Sequence, residues 1–453
     1  MDDVIIGRLL TASTLGFHII FATIGVGMPL VFMILEFLGL RKKDERYLTM
    51  ARRIAKGYTV TVAVGVVTGT IIGLQLSLVW PDFMRFGGQI IALPLFMETF
   101  AFFFEAIFLG IFLYTWDRFK NPWHHWLLNI PIVVGSTLSA VFITTVNSFM
   151  NTPAGFDLVE DVFVNVDPLA AMFNPSSYVR IFHVVVTAYT TAAFIIASIA
   201  AYKLLRAKYK EDREYHKKAL RVMMVIGFIA AAMSALAGDL SAKFLHENQP
   251  EKLAAMEWHF ETEDNADLIL FGILDEETQE VSYALRVPSA LSFLAGNSFD
   301  TEVTGLNDIP EDEQPPLIIH YFFDTMVFFG MFGLSVAVIY HIAKFTRFDE
   351  HHPALLYVYI LTGPLSMAAI ESGWFLAEMG RQPWILRGYM RVSEAVTNAE
   401  GLGVTLVAFV LLYIVLGATC IYVLLKMFQN KSVHSDHVEI YGEKDRDRGG
   451  LLP

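Results

Sequence analysis

Nine stretches of this chain are each long and apolar enough to cross a bilayer, and that constrains the fold more than any motif does. They cover roughly 11–38, 57–80, 90–116, 124–148, 177–205, 219–241, 317–343, 354–377 and 401–427. A spanning helix needs about 20 mostly apolar residues, so the expected fold class is an all-α polytopic membrane protein with nine transmembrane helices. Composition agrees, with 55% hydrophobic residues, 37 Phe and only 17% charged residues in 453, values outside the range of ordinary soluble domains. The single cysteine, Cys420, excludes an internal disulfide and a cysteine-based metal site. No basic region precedes the first apolar run, so no cleaved signal peptide is expected.

The segment from about 242 to 316 is long, polar and acidic and cannot span. Orientation follows from Lys and Arg in the connections. The first connection carries Arg41, Lys42, Lys43, Arg46, Arg52, Arg53 and Lys56, and the fifth carries Lys203, Arg206, Lys208, Lys210, Arg213, Lys217, Lys218 and Arg221. By alternation these two lie on one side with Arg118, Lys120, Lys344, Arg347 and the C-terminal tail. That side is expected to be cytoplasmic, which puts the N-terminus and the 242–316 loop outside. The expected division is 1–241 for helices 1–6, 242–316 for the outer loop, 317–428 for helices 7–9 and 429–453 for a cytoplasmic tail.

Ionisable residues at membrane depth are costly and mark function. Here they fall into a pattern. His18 in helix 1, His183 in helix 5 and Met326 in helix 7 each lie roughly 10–15 Å below the outer surface at ~1.5 Å per residue. Glu378 closes the outer end of helix 8, and Glu98 and Glu105 lie seven apart on one face of helix 3. Each has a bland reading beside the chemical one. A histidine can bond a neighbouring helix, Met326 can be packing, and the two glutamates can be a polar seam or a proton path. Glu36 can reach the cytoplasmic interface, and Arg8 can be an interfacial anchor. Taken jointly, imidazole, thioether and carboxylate are all axial ligands available to haem iron, and a His/Met pair makes a six-coordinate electron-transfer haem.

The stretch "SGWFLAEMGRQPW" ends helix 8. Trp374 and Glu378 are four apart and share a face. Gly380 can end the helix without a Cβ penalty and Pro383 prevents its resumption. Arg381 is then expected at the membrane surface. There it either snorkels to headgroups or grips a carboxylate such as a haem propionate.

"GWFLAEMGRQPW" resembles the signature of subunit I of the cytochrome bd-type quinol oxidases, and the resemblance runs from Arg8 to about Thr397. "RLLTASTLGFH", "METFAFFFEAIFLGIFLYTWDR", "NSFMNTPAGF", "RIFHVVVTAY", "EKLAAMEWHFET", "FFDTMVFFG" and "RQPWILRGYMRVSEAVT" each resemble segments of that family. The resemblance implies His183 and Met326 as axial ligands of a low-spin haem b558. It implies His18 and Glu378 as ligands of the high-spin haems b595 and d, with Trp374 between haems. It implies Glu98 and Glu105 in a proton pathway, and Lys252 and Glu257 in the quinol-binding segment of a periplasmic Q-loop of the short form. Arg8, Arg381 and Arg391 would serve haem propionates or electron transfer. Two features depart or stand apart: Asp324 occupies a position where the family usually has Arg, and Glu371 is an additional carboxylate.

The resemblance further implies a terminal oxidase of the bacterial cytoplasmic membrane. Quinol is oxidised outside and O₂ reduced to water with cytoplasmic protons, giving a proton motive force without a pump. A homologous subunit II, a small single-helix subunit and membrane lipid are the implied partners, and nucleic acid is not one. A proton-coupled secondary transporter is the alternative, but the inverted repeats and paired broken helices of that class are not seen. A membrane anchor without chemistry is argued against by the number of intramembrane ionisable groups.

Overall fold

A computed structural model describes residues 3–160, 162–206, 210–346 and 348–428. The expected tail at 429–453 lies outside the described residues, as do Lys208 and Arg347 of the basic connections. Among the described residues nine helices are long and apolar enough to cross a membrane. They are α1 (Asp3–Lys42), α2 (Glu45–Val79), α3 (Pro81–Tyr114), α4 (Asn129–Asn151), α5 (Ser177–Arg206), α6 (Lys210–Asn248), α7 (Ile319–Phe345), α8 (Pro353–Met379) and α9 (Leu402–Phe428).

The helices outrun the apolar stretches that announce them. α1 begins at Asp3 rather than near 11, and α6 continues to Asn248. Residues 242–248, expected as loop, are therefore the last turns of α6. The reason is physical: an apolar window finds only the part of a helix that lipid touches. "HEN" at its end is compatible with helix in water, where polar side chains carry no cost.

Helix ends follow local chemistry. Lys43 takes φ 53°, and Asp44 caps α2 by accepting from the Arg46 N–H at 3.2 Å. This tight reversal lays α2 against α1. Pro81 opens α3 directly after Trp80, where its missing N–H is no loss.

The core has two levels. A larger cluster, with Phe32, Tyr58, Phe112, Phe194, Tyr340 and Tyr359, fills the half nearer the basic connections. A second, with Leu10, Trp80, Phe83 and Phe149, fills the other end of α1–α4. A third cluster, including Leu253, Met256, Leu306, Ile319 and Leu376, seats the outer loop on α7 and α8. That loop carries a helix at Pro250–Glu257 and two antiparallel strand pairs, Leu268–Leu270 with Leu285–Val287 and Ile273–Asp275 with Glu280–Ser282.

Candidate redox site and proton path

The two membrane histidines are held in one tautomer by the same device. His18 Nδ1 lies 2.9 Å from Thr68 Oγ1, whose own hydroxyl donates to the Val64 carbonyl at 2.9 Å. Thr68 therefore accepts from His18, which puts the proton on Nδ1 and leaves Nε2 a bare lone pair. His183 Nδ1 lies 3.3 Å from Ser241 Oγ, which donates to the Ala237 carbonyl at 2.8 Å. The same logic leaves its Nε2 bare. An imidazole fixed through one nitrogen and open at the other is prepared for a metal. A Cβ at Gly69 would approach His18 to 3.2 Å, so α2 lets the ring lie close.

Met326 meets α8 at a similar gap. A Cβ at Gly373 would lie 3.0 Å from its sulfur. Trp374 follows directly and is half-buried. Gly16, two residues before His18, packs on α8 where Glu371 Oε2 would stand 3.5 Å from an added Cβ. Glu371 thus lies between α1 and α8 on the His18 side, with its Oε1 unpartnered among the described residues.

Glu378 is the centre of a charged cluster. Its Oε1 accepts from Asn147 at 2.5 Å and its Oε2 from Arg381 at 2.7 Å. Arg180, one turn before His183, bonds Asn147 Oδ1 at 3.3 Å and Gln249 Oε1 at 3.4 Å. Lys252 reaches in from the loop helix to the Ala377 carbonyl at 3.1 Å. Arg381 is only 8% exposed, which corrects the expectation that it lies at the surface: the loop helix covers it. Gly380 also differs from expectation. Its φ of −72° is right-handed, so glycine is not needed there for a left-handed cap. A Cβ would instead meet Lys252 Cε at 2.6 Å, and glycine makes room for the lysine. Arg391 stands apart, on the Trp384 ring at 4.9 Å and paired with Asp312 at 2.6 Å. Arg8 is exposed on the first turns of α1.

On α3, Glu98 accepts from Ser139 at 2.9 Å and is partly buried. Glu105 is 4% exposed and accepts a short hydrogen bond from Tyr58. Glu36 is fully enclosed rather than reaching the interface as expected: His125 Nδ1 and Asn129 Nδ2 each bond one of its oxygens at 2.7 Å. The short helix at Pro122–Trp126 delivers His125 to it.

The loop side is a second buried polar set. Burial holds the Lys252 ammonium well below its usual range, and the charges of Arg180 and Arg381 add to that. Burial likewise raises Glu257 well above the carboxylate range, with the Asp324 charge contributing. Glu257 Oε2 and Asp324 Oδ1 have no partner among the described residues. Trp258 stacks on His320 at 3.8 Å, and His320 Nδ1 donates to the Met256 carbonyl at 2.8 Å. Asp324 Oδ2 accepts from the Phe271 N–H at 2.6 Å and lies 3.3 Å from His320 Nε2.

The model of the cytochrome bd terminal oxidase subunit I family matches residues 6–432. The chain belongs to that family. It is 43% identical over 438 residues (96% of this chain, 99% of the relative) to a Bacillus subtilis (strain 168) protein assigned as a cytochrome bd menaquinol oxidase subunit I. It is 31% identical over 458 residues (97% and 96%) to the cytochrome bd ubiquinol oxidase subunit 1 of the same organism. Among solved structures it resembles the bd oxidase of Geobacillus thermodenitrificans, with a TM-score of 0.90 and 56% identity over 95% of this chain and 99% of that one. Family and helices together make it a multi-pass protein of the bacterial cytoplasmic membrane.

The residues of this bd-type subunit fit the haem that the family implies. Two imidazoles offer bare Nε2 atoms, a thioether lies against a glycine, and a carboxylate sits in the cluster. Arg180 Nε and Arg381 Nε and Nη1 are buried donors with no acceptor among the described residues. Three unpaired guanidinium nitrogens of this kind suit propionate carboxylates. Arg180 and Asn147 were not singled out from sequence. An arginine at the start of a helix reads as an interfacial anchor, and the usable signal was its spacing of three from His183.

Proposed function

We propose that this chain is the catalytic subunit of a terminal respiratory quinol oxidase. It oxidises quinol on the outer face and reduces O₂ to water with cytoplasmic protons, and so generates a proton motive force without pumping. The observation that carries this reading is the bond from Lys252 Nζ to the Ala377 carbonyl. It seats the outer loop directly on the turn that presents Glu378, so substrate site and cofactor site share a wall.

When bound, haem supplies one-electron transfer at a His183/Met326 pair (b558) and O₂ binding at an open face, with His18 and Glu378 holding the high-spin b595 and d groups. The chain's own residues do the rest. Glu257, a strong base because it is buried, takes a quinol proton on its unpartnered Oε2 and releases it outside. Lys252, its ammonium disfavoured by burial and by two neighbouring guanidinium groups, orients quinol oxygen by donating a hydrogen bond. Arg180 and Arg381 would hold the propionates through their unpaired guanidinium N–H groups. Trp374 lies one turn from Glu378 and would bridge the haems in electron transfer.

Protons for water formation run from Glu105, buried against Tyr58, to Glu98 beside Ser139. α3 enters from outside, so this direction is inward to outward. The two half-reactions draw on opposite faces, and charge separates without a pump. A homologous subunit II completes the oxidase, with a small single-helix subunit as a further partner. Nothing in the geometry favours a transporter.

A reduced-minus-oxidised spectrum of the purified complex tests the reading. Expected are b-type and d-type bands, quinol-dependent O₂ consumption, and a membrane potential in proteoliposomes. A colourless preparation that still assembles would exclude it.

A further inference from the structure

Below the Glu105–Glu98 pair, toward the basic connections, lies a second buried acid with its own base. Glu36 and His125 both have side chains 3% exposed. The hydrogen-bond inventory fixes their protons. His125 Nε2 is 2.9 Å from the Phe112 carbonyl, which can only accept, so Nε2 carries a hydrogen. Asn129 Nδ2 donates to Glu36 Oε2, so that oxygen is an acceptor. One proton is therefore left to the 2.7 Å contact between His125 Nδ1 and Glu36 Oε1, shared by acid and base. The pair is neutral whichever holds it.

A purely structural ion pair would be closed. This one is not. Asn129 is 0% exposed, yet its Oδ1 has no partner among the described residues. A buried amide oxygen of this kind is met by a water, held by the same amide that donates to Glu36. The charged groups around it are committed elsewhere. Arg52 pairs with Asp117 at 3.0 Å and lies on the Trp116 ring, which packs edge-on against His125, and Arg41 lies on Phe37.

The dyad is also stacked beneath the proton path. His125 stacks on Phe112 at 4.4 Å and Phe112 on Phe32, and Phe32 meets edge-on the ring of Tyr58, which donates to Glu105. Phe112 is seven residues beyond Glu105 on α3, about 10 Å along the axis at ~1.5 Å per residue. The Phe32–Phe112 contact closes that gap, so a proton crossing it needs these rings to part and admit water.

We propose that Glu36 and His125 form the cytoplasmic-side proton reservoir that fills Glu105. This rests on the reading of Glu105 and Glu98 as a relay. The shared proton passes through water to the Glu105 carboxylate, giving the carboxylic acid. Glu36 carboxylate is left facing a bare Nδ1, and that repulsion draws one replacement proton from the cytoplasm. Asn129 holds Glu36 in line and positions the water.

The test uses the whole purified complex. E36Q, E36D, N129L and E105Q are compared for haem content, for proton uptake on mixing reduced enzyme with O₂, and for carboxyl bands in redox-difference infrared spectra. Expected are full haem content in E36Q, proton uptake slowed at least ~10-fold, the low end or below of the usual range for losing a positioned proton-transfer group, and loss of one carboxyl band. E36D recovers most of the rate. Wild-type proton uptake in a haem-replete E36Q overturns the proposal. Slowing in E105Q but not in E36Q rejects the reservoir and keeps the relay, whereas wild-type rates in both reject the relay itself. Should E36Q lose haem, N129L decides: slowed uptake supports the reservoir and an unchanged rate overturns it.

Discussion

Asn147 on α4 donates its side-chain amide to Glu378 on α8 at 2.5 Å. With Arg381 on the other oxygen, the carboxylate is gripped from α4 and from the turn that follows α8, and its direction is set by α4 as much as by its own helix. Asn147→Leu leaves Glu378 Oε1 without this donor in a partly buried site, at a cost of about 1 kcal/mol. High-spin haem is then lost relative to low-spin haem, read from the reduced spectrum of the purified complex. An unaltered ratio would detach Asn147 from the site.

His183→Ala and Met326→Leu are expected to remove the low-spin haem signal and quinol oxidation together. A normal reduced α-band in either variant contradicts the ligand assignment.

Thr68→Val keeps the shape of the residue and removes the acceptor for His18 Nδ1. Loss of such an outer partner typically costs 10–100-fold in metal affinity or activity. Faster loss of one high-spin haem during detergent washing is expected, with the His183 haem retained. Equal retention of both would show that Thr68 has no role.

Glu105→Gln should slow O₂ reduction with haem content kept, and Tyr58→Phe should slow it less, because it removes only a donor to Glu105. Steady-state O₂ consumption against haem concentration measures both. Unchanged turnover in Glu105→Gln excludes the relay.

Burial pushes Glu257 up, and its deprotonated form is the proton acceptor. Quinol oxidation should therefore rise with pH through that raised value and fall as pH drops below it. Glu257→Gln should abolish this limb of the profile. A profile that keeps its limb in the variant removes Glu257 from the role.

The fold was legible because lipid imposes a simple rule: backbone must be satisfied within each segment, so a long apolar run can only be a helix. The candidate ligands stood out because polar atoms at that depth are scarce. What sequence hid was anything decided by a neighbour. Glu36 looks like an interfacial acid until the Pro122–Trp126 helix folds His125 onto it. Gly380 looks like a left-handed cap until Lys252 arrives from 128 positions away. Arg381 looks exposed until the loop helix covers it. Each depends on a contact between segments far apart in the chain, which periodicity and spacing do not encode.

The bond between Asp324 and the Phe271 N–H joins the two strand pairs of the outer loop to α7. Phe271 and Gly272 both take positive φ, 58° and 114°, so the backbone there is bent into a fixed elbow. The carboxylate holds that elbow two residues before Met326. The outer hairpin is therefore anchored to the helix that carries Met326. If Met326 is the ligand proposed above, a molecule that moves the outer loop acts through Asp324 on the turn of α7 that carries it.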